Sequence, residues 1–252
     1  LQDVCEREKN MDSNRKSLEK FQYGLNQLGI NPSKKMINQF LLFYERMAEK
    51  NKVMNLTAIT EFDEVVEKHF LDSVSLAKSM DLHQPIRVLD LGTGAGFPGI
   101  PLKILFPELE IVLMDSLRKR VAFLQEVIEE LGFTGISAVH GRAEDMARKL
   151  EYREKFGLCV SRAVANLSSL SEYCIPFIKV GGRFVSYKSG EVEEEVRQAQ
   201  KAVSMLGGKV VNVEKFVLAG TEISRSFVHI EKVKKTPKAY PRKAGIPSRN
   251  PI

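Results

Sequence analysis

The stretch Asp90-Leu-Gly-Thr-Gly-Ala-Gly-Phe-Pro-Gly99 decides how the chain reads. Gly94-Ala-Gly96-Phe-Pro-Gly99 fits G-x-G-x-x-G, whose glycines let backbone approach a dinucleotide pyrophosphate where a strand turns into a helix. The same loop opens on an acid, Asp90, ahead of Gly92. A carboxylate at the mouth of a strand repels a pyrophosphate, the more so where it is partly desolvated. It suits a ligand that has cations and no phosphate. S-adenosylmethionine offers an ammonium, a sulfonium and a ribose with two hydroxyls. The sequence therefore assigns Asp90 to the methionine end, directly or through water, and Asp115 to the ribose hydroxyls. An acid after the second strand serves nicotinamide sites as well. The preference for S-adenosylmethionine over NAD thus rests on the whole pattern Asp-x-Gly-x-Gly-x-Gly, with Gly92, Gly94 and Gly96 as the glycines that meet the ligand.

Outward from the loop, short apolar runs alternate with amphipathic ones. Strands are expected at Ile86–Leu89, Ile111–Met114, Ile136–Val139, Leu158–Val160 and, after a break at Gly181-Gly182, Phe184–Tyr187. Helices are expected at Ile100–Phe106, Lys119–Leu131, Leu167–Ile178 and Glu191–Leu206, and Val210–Leu218 and Ser226–Glu231 alternate as a final strand pair. That alternation describes an α/β, doubly wound Rossmann-like sheet, with its ligand outside the carboxyl ends of the strands. Residues 12–80 read as helices. Met36, Phe40, Phe43, Tyr44 and Met47 share a face, Pro32 and Ser33 mark a helix start, and Phe62–Met80 is one further helix. His69, among the apolar positions of that helix, reads as a core or interface histidine. Asn55-Leu-Thr57 fits a glycosylation sequon that means nothing without a secretion signal. The expected divisions are residues 1–80, an N-terminal helical region; 81–231, the ligand-binding domain; and 232–252, a basic Pro-rich tail.

Composition narrows the class. No apolar run approaches the ~18 residues of a membrane span. Residues 1–10 are charged and are given no functional weight. Cys5, Cys159 and Cys174 form no C-x-x-C pair, so no metal is expected and reduced thiols in the cytoplasm are the plain reading. The formal charge is +6, yet residues 232–252 alone hold seven basic side chains and no acid, leaving the rest of the chain near neutral. With Pro237, Pro241, Pro247 and Pro251, that tail is expected to be extended: a solvated end, or a phosphate contact on nucleic acid.

Methyl transfer needs an acceptor. The chain lacks the Asn/Asp-Pro-Pro-aromatic cluster that holds an exocyclic amine. Cys159 and Cys174 lie in apolar settings that suit small hydrophobes better than the nucleophile of cytosine C5 chemistry. A site without base or nucleophile suits an acceptor with a free lone pair, such as guanine N7, where the protein supplies positioning and electrostatics. Arg118-Lys119-Arg120 and Lys188 are secondary candidates for RNA contact.

The sequence closely resembles the bacterial ribosomal small-subunit methyltransferase G family, also called glucose-inhibited division protein B. The matching stretches are Asn55-Leu-Thr57, His69-Phe-Leu-Asp-Ser73, Asp90 through Pro101, Asp115-Ser-Leu-Arg-Lys-Arg120, Ser161-Arg-Ala163 and Tyr240-Pro-Arg-Lys243. The resemblance implies a class I S-adenosylmethionine-dependent methyltransferase with an N-terminal helical extension, acting on N7 of a guanine in 16S rRNA. The substrate would be the small ribosomal subunit or its assembly intermediate, and the enzyme a cytoplasmic monomer with no membrane or metal partner. It also implies cofactor contacts at Gly92, Phe97, Ala143, Glu144 and Arg162, with Arg162 between cofactor and acceptor as the candidate catalytic residue. Two alternatives stay open: a non-catalytic ribosome assembly factor that retains the cofactor pocket, and an NAD-dependent oxidoreductase.

Overall fold

A seven-stranded sheet in the order β3-β2-β1-β4-β5-β7-β6 forms the frame of the structure, a computed structural model that describes residues 2–162 and 165–252, with side chains from Arg15 onward. Ala163, the last residue of the Ser161-Arg-Ala163 stretch, and the side chain of Cys5 lie outside the described residues. The strands are β1 (Arg87–Leu91), β2 (Glu110–Asp115), β3 (Ile136–His140), β4 (Phe156–Ser161), β5 (Ile178–Ser189), β6 (Gly208–Val217) and β7 (Ser224–Lys232). β1 to β5 run parallel, and β7 enters antiparallel between β5 and β6. The chain turns one way from β1 to β2 and β3 and the other way to β4 and β5. The crevice therefore opens between β1 and β4, at their carboxyl ends.

Parallel strands are covered on both faces, which is why β1, β2 and β4 read as nearly unbroken apolar runs. One face is covered by α5 (Gly99–Leu105) and α6 (Arg118–Glu130), together with the N-terminal helices α1 (Gln2–Gln27) and α2 (Lys34–Met54). The other face carries α7 (Ala143–Met146), α8 (Leu167–Cys174) and α9 (Glu193–Met205). Ser33 caps α2, accepting the Met36 N–H at 3.2 Å. The N-terminal helices share one continuous core with the sheet: Phe21, Phe40, Phe43 and Phe70 are all buried beside Ile100, Leu124 and Val160.

Three sequence expectations change. Gly181-Gly182 does not break the chain before a fifth strand; β5 runs through it from Ile178. Gly181 takes φ +84°, the register against β4 shifts between Phe156 and Leu158, and a Cβ at Gly182 would lie 2.7 Å from the Gly157 carbonyl oxygen. The pair is an irregularity inside a strand. Residues 62–80 do not form one regular helix. They comprise α3 (Phe62–Val65), a π-helical turn (Val66–Leu71), α4 (Asp72–Val74) and a 3₁₀ turn (Ser75–Lys78).

The third change concerns the tail. Lys232 is the buried last residue of β7, and its Nζ donates to the Ile175 carbonyl at 2.9 Å and to Thr236 Oγ1 at 2.6 Å. Beyond it Thr236, Pro241 and Pro247 are buried, and α10 (Ile246–Arg249) closes the chain against α8. Between Lys232 and α10 the segment runs without regular structure, and its carbonyls and two buried acids dock it onto the body. Its exposed charges are Lys234, Lys235, Lys238, Lys243 and Arg249.

Candidate active site

The loop after β1 is wound tightly enough that its glycines take different tasks. Gly92 and Thr93 both donate their N–H to the Met114 carbonyl, at 2.9 and 3.2 Å, which ties the loop to the end of β2. Gly94 sits at φ +61° and a Cβ there would meet nothing within 4 Å; it faces open space. Gly96, at φ +105°, is a packing glycine: a Cβ would come within 2.7 Å of Ile100 and 3.0 Å of Leu124. Gly92, Gly94 and Phe97 line a cleft of about 850 Å³, and Gly96 does not.

Asp90 does not face the cleft directly. Its side chain is fully buried beneath the loop and is not part of the cleft wall. Oδ2 accepts from Thr93 Oγ1 at 2.6 Å and from the Gly99 N–H at 2.8 Å, while Oδ1 has no partner. Burial raises its pKa to about 7, against the lowering effect of those two hydrogen bonds. Asp90 therefore fixes the shape of the loop and the start of α5 from beneath the cleft. The reason lies in α5: its first N–H, at Gly99, turns back onto the strand end and takes the carboxylate oxygen that the sequence had pointed outward.

Asp115 does line the cleft. Its Oδ2 accepts the Gly94 N–H at 3.0 Å and Oδ1 the Leu117 N–H at 2.9 Å, with Arg120 at 3.5 Å. Oδ2 thus meets two donors, and Oδ1 retains a lone pair for a further one. Ala143 and Glu144 continue the wall after β3, where α7, a short helix the sequence reading did not anticipate, begins. Glu144 is buried, and its Oε1 accepts the Gly245 N–H at 2.9 Å. Leu91, Met114, Leu117 and Leu170 supply apolar lining.

Arg162, at the end of β4, lines the same cleft and is no surface ion pair. Its guanidinium reaches the Lys68 and His69 carbonyls, each at 3.2 Å, Ser73 Oγ at 3.0 Å and Asp72 Oδ2 at 3.0 Å. It also lies 5.6 Å from the centre of the Phe97 ring. These carbonyls are presented by the π-helical turn, a departure from α geometry that is frequent at functional sites. His69 is the residue the sequence reading missed. It lines the cleft, stacks on Phe97 with ring centres 4.4 Å apart, and contacts Thr57 Oγ1 through Nε2 at 2.9 Å. Its Nδ1 lies 3.0 Å from an Arg162 nitrogen. The Lys68 carbonyl oxygen lies 3.1 Å from the same Nδ1, so Nδ1 stands between a donor and an acceptor. Burial, followed by the charge of Arg162, lowers the His69 pKa to about 4, so the ring is neutral at pH 7. Thr57 and His69 sit in Asn55-Leu-Thr57 and His69-Phe-Leu-Asp-Ser73. Those stretches carried the family resemblance, and they were the available signal.

Cys159 and Cys174 are buried free thiols, and burial raises the Cys159 pKa well above the ordinary thiol range, as befits small hydrophobes. Lys188 is spent on Glu195 at 2.7 Å and the Ala165 carbonyl at 2.9 Å. A larger cavity of about 1100 Å³, lined by Tyr23, Lys78, Phe216 and Ile223, lies between α1 and the turn after β6, away from the carboxyl ends of β1 and β4. Among the described residues no helix is long and apolar enough to cross a membrane.

A parallel Rossmann-like sheet with an antiparallel seventh strand, and a cleft built from the loops after β1 to β4, define the methyltransferase class. The chain belongs to the rRNA small subunit methyltransferase G family, GidB, whose model matches residues 36–228. The ribosomal RNA small subunit methyltransferase G of Lachnoclostridium phytofermentans is 53% identical over 92% of this chain and 96% of its own length. Those of Desulforamulus reducens and Brevibacillus brevis are 52% and 49% identical, over 85% and 89% of this chain and 91% and 94% of theirs. The solved structure of a mutant of MtNAS aligns with TM-score 0.52 at 14% identity, over 79% of this chain and 75% of that one, a likeness of fold. Membership in a methyltransferase family leaves the NAD-dependent alternative without support.

Proposed function

We propose that the protein transfers a methyl group from S-adenosyl-L-methionine to N7 of a guanine in 16S rRNA, in the small ribosomal subunit or its assembly intermediate, in the cytoplasm. The observation that carries this reading is the cleft itself: open space over Gly94, a carboxylate with a free lone pair at Asp115 Oδ1, and an apolar wall, in a chain of an rRNA methyltransferase family. Those residues fit the cofactor. The backbone at Gly92 and Gly94 can lie against it, Asp115 Oδ1 suits a ribose hydroxyl, and Leu117 with Ala143 suits the flat face of an adenine. Phe97 offers a ring face to a cationic centre. When bound, S-adenosylmethionine supplies a methyl group activated by its sulfonium.

The chain's own residues position the reactants. Guanine N7 attacks with a lone pair, so no base is required, and none is ready. His69 is neutral, with Nδ1 already facing Arg162 and Nε2 facing Thr57. Arg162 is held by four groups of the 66–74 segment, Asp72 among them, so its charge stands at a fixed place on the cleft wall. Preorganised charge of this kind stabilises a transition state without reorganising. N7 in paired RNA faces a deep groove that protein does not enter, so the target base is unpaired or opened.

The test uses tritiated S-adenosylmethionine and small subunits from cells that lack the enzyme. Label is expected in 7-methylguanosine. Arg162→Ala is expected to lower kcat on the order of 10²-fold. Bound cofactor without transfer to any nucleoside would favour the assembly-factor reading, and label in another nucleoside would overturn the N7 assignment.

A further inference from the structure

The C-terminal segment does more than end the chain: it reaches back across the sheet to the cofactor cleft. Gly245 and Ser248 belong to the cleft wall, beside Ala143, Glu144 and Tyr173. Three fastenings bring them there. Arg153 donates to the carbonyls of Thr236, Pro237 and Tyr240, at 2.9, 3.2 and 2.9 Å. Arg242 then meets Glu172 of α8, a fully buried carboxylate: the Arg242 N–H donates at 2.7 Å, Nε at 3.0 Å to each oxygen and the terminal nitrogen at 2.6 Å. Finally Gly245, at φ +79°, donates to Glu144, and Ser169 Oγ donates to the Pro247 carbonyl at 2.7 Å.

We propose that residues 240–249 form a strap that is a structural wall of the cofactor site, and that Arg242, clamped by Glu172, is the positioning residue that sets it. The proposal rests on the cofactor reading above. A buried carboxylate that accepts from a backbone N–H and from two guanidinium nitrogens is costly to leave unpaired, so the strap has one strongly preferred seat. The seat matters to the ligand because Glu144, which the sequence reading gave to the cofactor, spends an oxygen on the strap. Cofactor and strap therefore share one wall, and whatever holds one holds the other. The reciprocal effect follows by linkage: a ligand resting against Gly245 and Ser248 suppresses opening of the strap.

The test measures binding and opening in the full chain, with S-adenosylhomocysteine as probe. Calorimetric titration is expected to give Arg242→Ala a Kd weaker by about tenfold or more, the change that ~1.4 kcal/mol produces. Arg242→Lys, which keeps a charge for Glu172 and loses the fork, is expected to fall between Arg242→Ala and the unaltered chain. Ser248→Trp is independent of folding: Ser248 is exposed at the rim, and a Trp there fills the cleft, so affinity drops by a similar factor at unchanged Tm. Trypsin gives the second readout, since Lys243 is an exposed cut site within the strap. Saturating probe is expected to slow cleavage after Lys243 several-fold in the unaltered chain, and Arg242→Ala is expected to be cut faster than the unaltered chain with or without probe. If the unaltered chain binds no probe, the cofactor reading falls and the strap's role with it. If it binds, yet Arg242→Ala and Ser248→Trp bind within about twofold of it, or cleavage after Lys243 ignores the probe, the strap proposal alone is overturned.

Discussion

A carboxyl group with no exposure, two donated hydrogen bonds and one unpartnered oxygen sits close to neutrality, and Asp90 is such a group. Its pKa is raised to about 7 from an ordinary 3.8, so between those values the native state holds a proton that the unfolded chain releases. Its contribution to stability is full below about pH 3.8 and is lost as pH rises through about 7. His69 works the other way. Its pKa is lowered to about 4 from 6.5, so its contribution is present above about 6.5 and is lost as pH falls through about 4. The two oppose each other over the same acidic window, and single variants separate them. Relative to the unaltered chain, Asp90→Asn is expected to gain urea stability as pH rises from 4 to 7, and His69→Gln as pH falls from 6.5 to 4. Curves that stay parallel across pH would show that neither burial shift exists. Asp90→Ala removes the acceptor for both Thr93 and Gly99 and is expected to cost about 3 kcal/mol in chemical denaturation.

Within the element that joins β1 to α5, glycines of similar appearance have different reasons to exist. A Cβ at Gly99 would lie 2.2 Å from Leu113 Cδ2 and 2.8 Å from Asp90 Oδ2. Gly99→Ala is therefore expected to destabilise the fold by about 1–3 kcal/mol through overpacking. A Cβ at Gly94 would meet no protein atom but would stand in the cleft at φ +61°. Gly94→Ala is expected to cost ~1 kcal/mol of backbone strain and to weaken S-adenosylhomocysteine binding far more than it lowers Tm. Equal losses of binding and of Tm in both variants would contradict this division. The glycine pattern was legible because strand, loop and helix each left a period or a breaker in the chain. Which glycine faces the cleft was not, since that depends on Ile100, Leu124 and Leu113, brought in by packing from α5, α6 and β2. The 62–80 segment shows the same limit. Its apolar spacing reads as helix, and nothing local announces the π turn that aims the Lys68 and His69 carbonyls at Arg162 from 94 and 93 residues away. The tail was read from charge and proline alone, and its docking onto Glu172 and Arg153 is a long-range event that neither composition nor periodicity encodes.

At the scale of the whole molecule, the N-terminal helices are part of the site's construction. A run of rings joins them to the loop after β1: Phe21 and Phe40 have centres 4.8 Å apart, Phe40 and Phe70 4.9 Å, and Phe43 and Phe97 5.2 Å, with His69 stacked on Phe97 beyond. Phe43 from α2 also stands 3.3 Å from where a Cβ of Gly96 would be, so the helix presses on the loop at two adjacent points. Aromatic contacts of this kind add to burial and fix ring orientation. Truncating Phe43, which is fully buried, opens a cavity directly under the Phe97 ring and is expected to cost about 3–5 kcal/mol. The functional consequence is separable from that loss. Phe43→Leu keeps most of the volume and costs less, yet it removes the ring that holds Phe97 against His69. The expected result for Phe43→Leu is a chain folded at 25 °C whose Kd for S-adenosylhomocysteine rises several-fold and whose His69 pKa moves up from about 4, because a loosened Phe97 admits water to the imidazole. Proton NMR of His69 across pH 3 to 7, alongside calorimetry, reads both effects on one sample. An unchanged His69 titration together with an unchanged Kd would mean that the N-terminal helices support the sheet alone and transmit nothing to the loop.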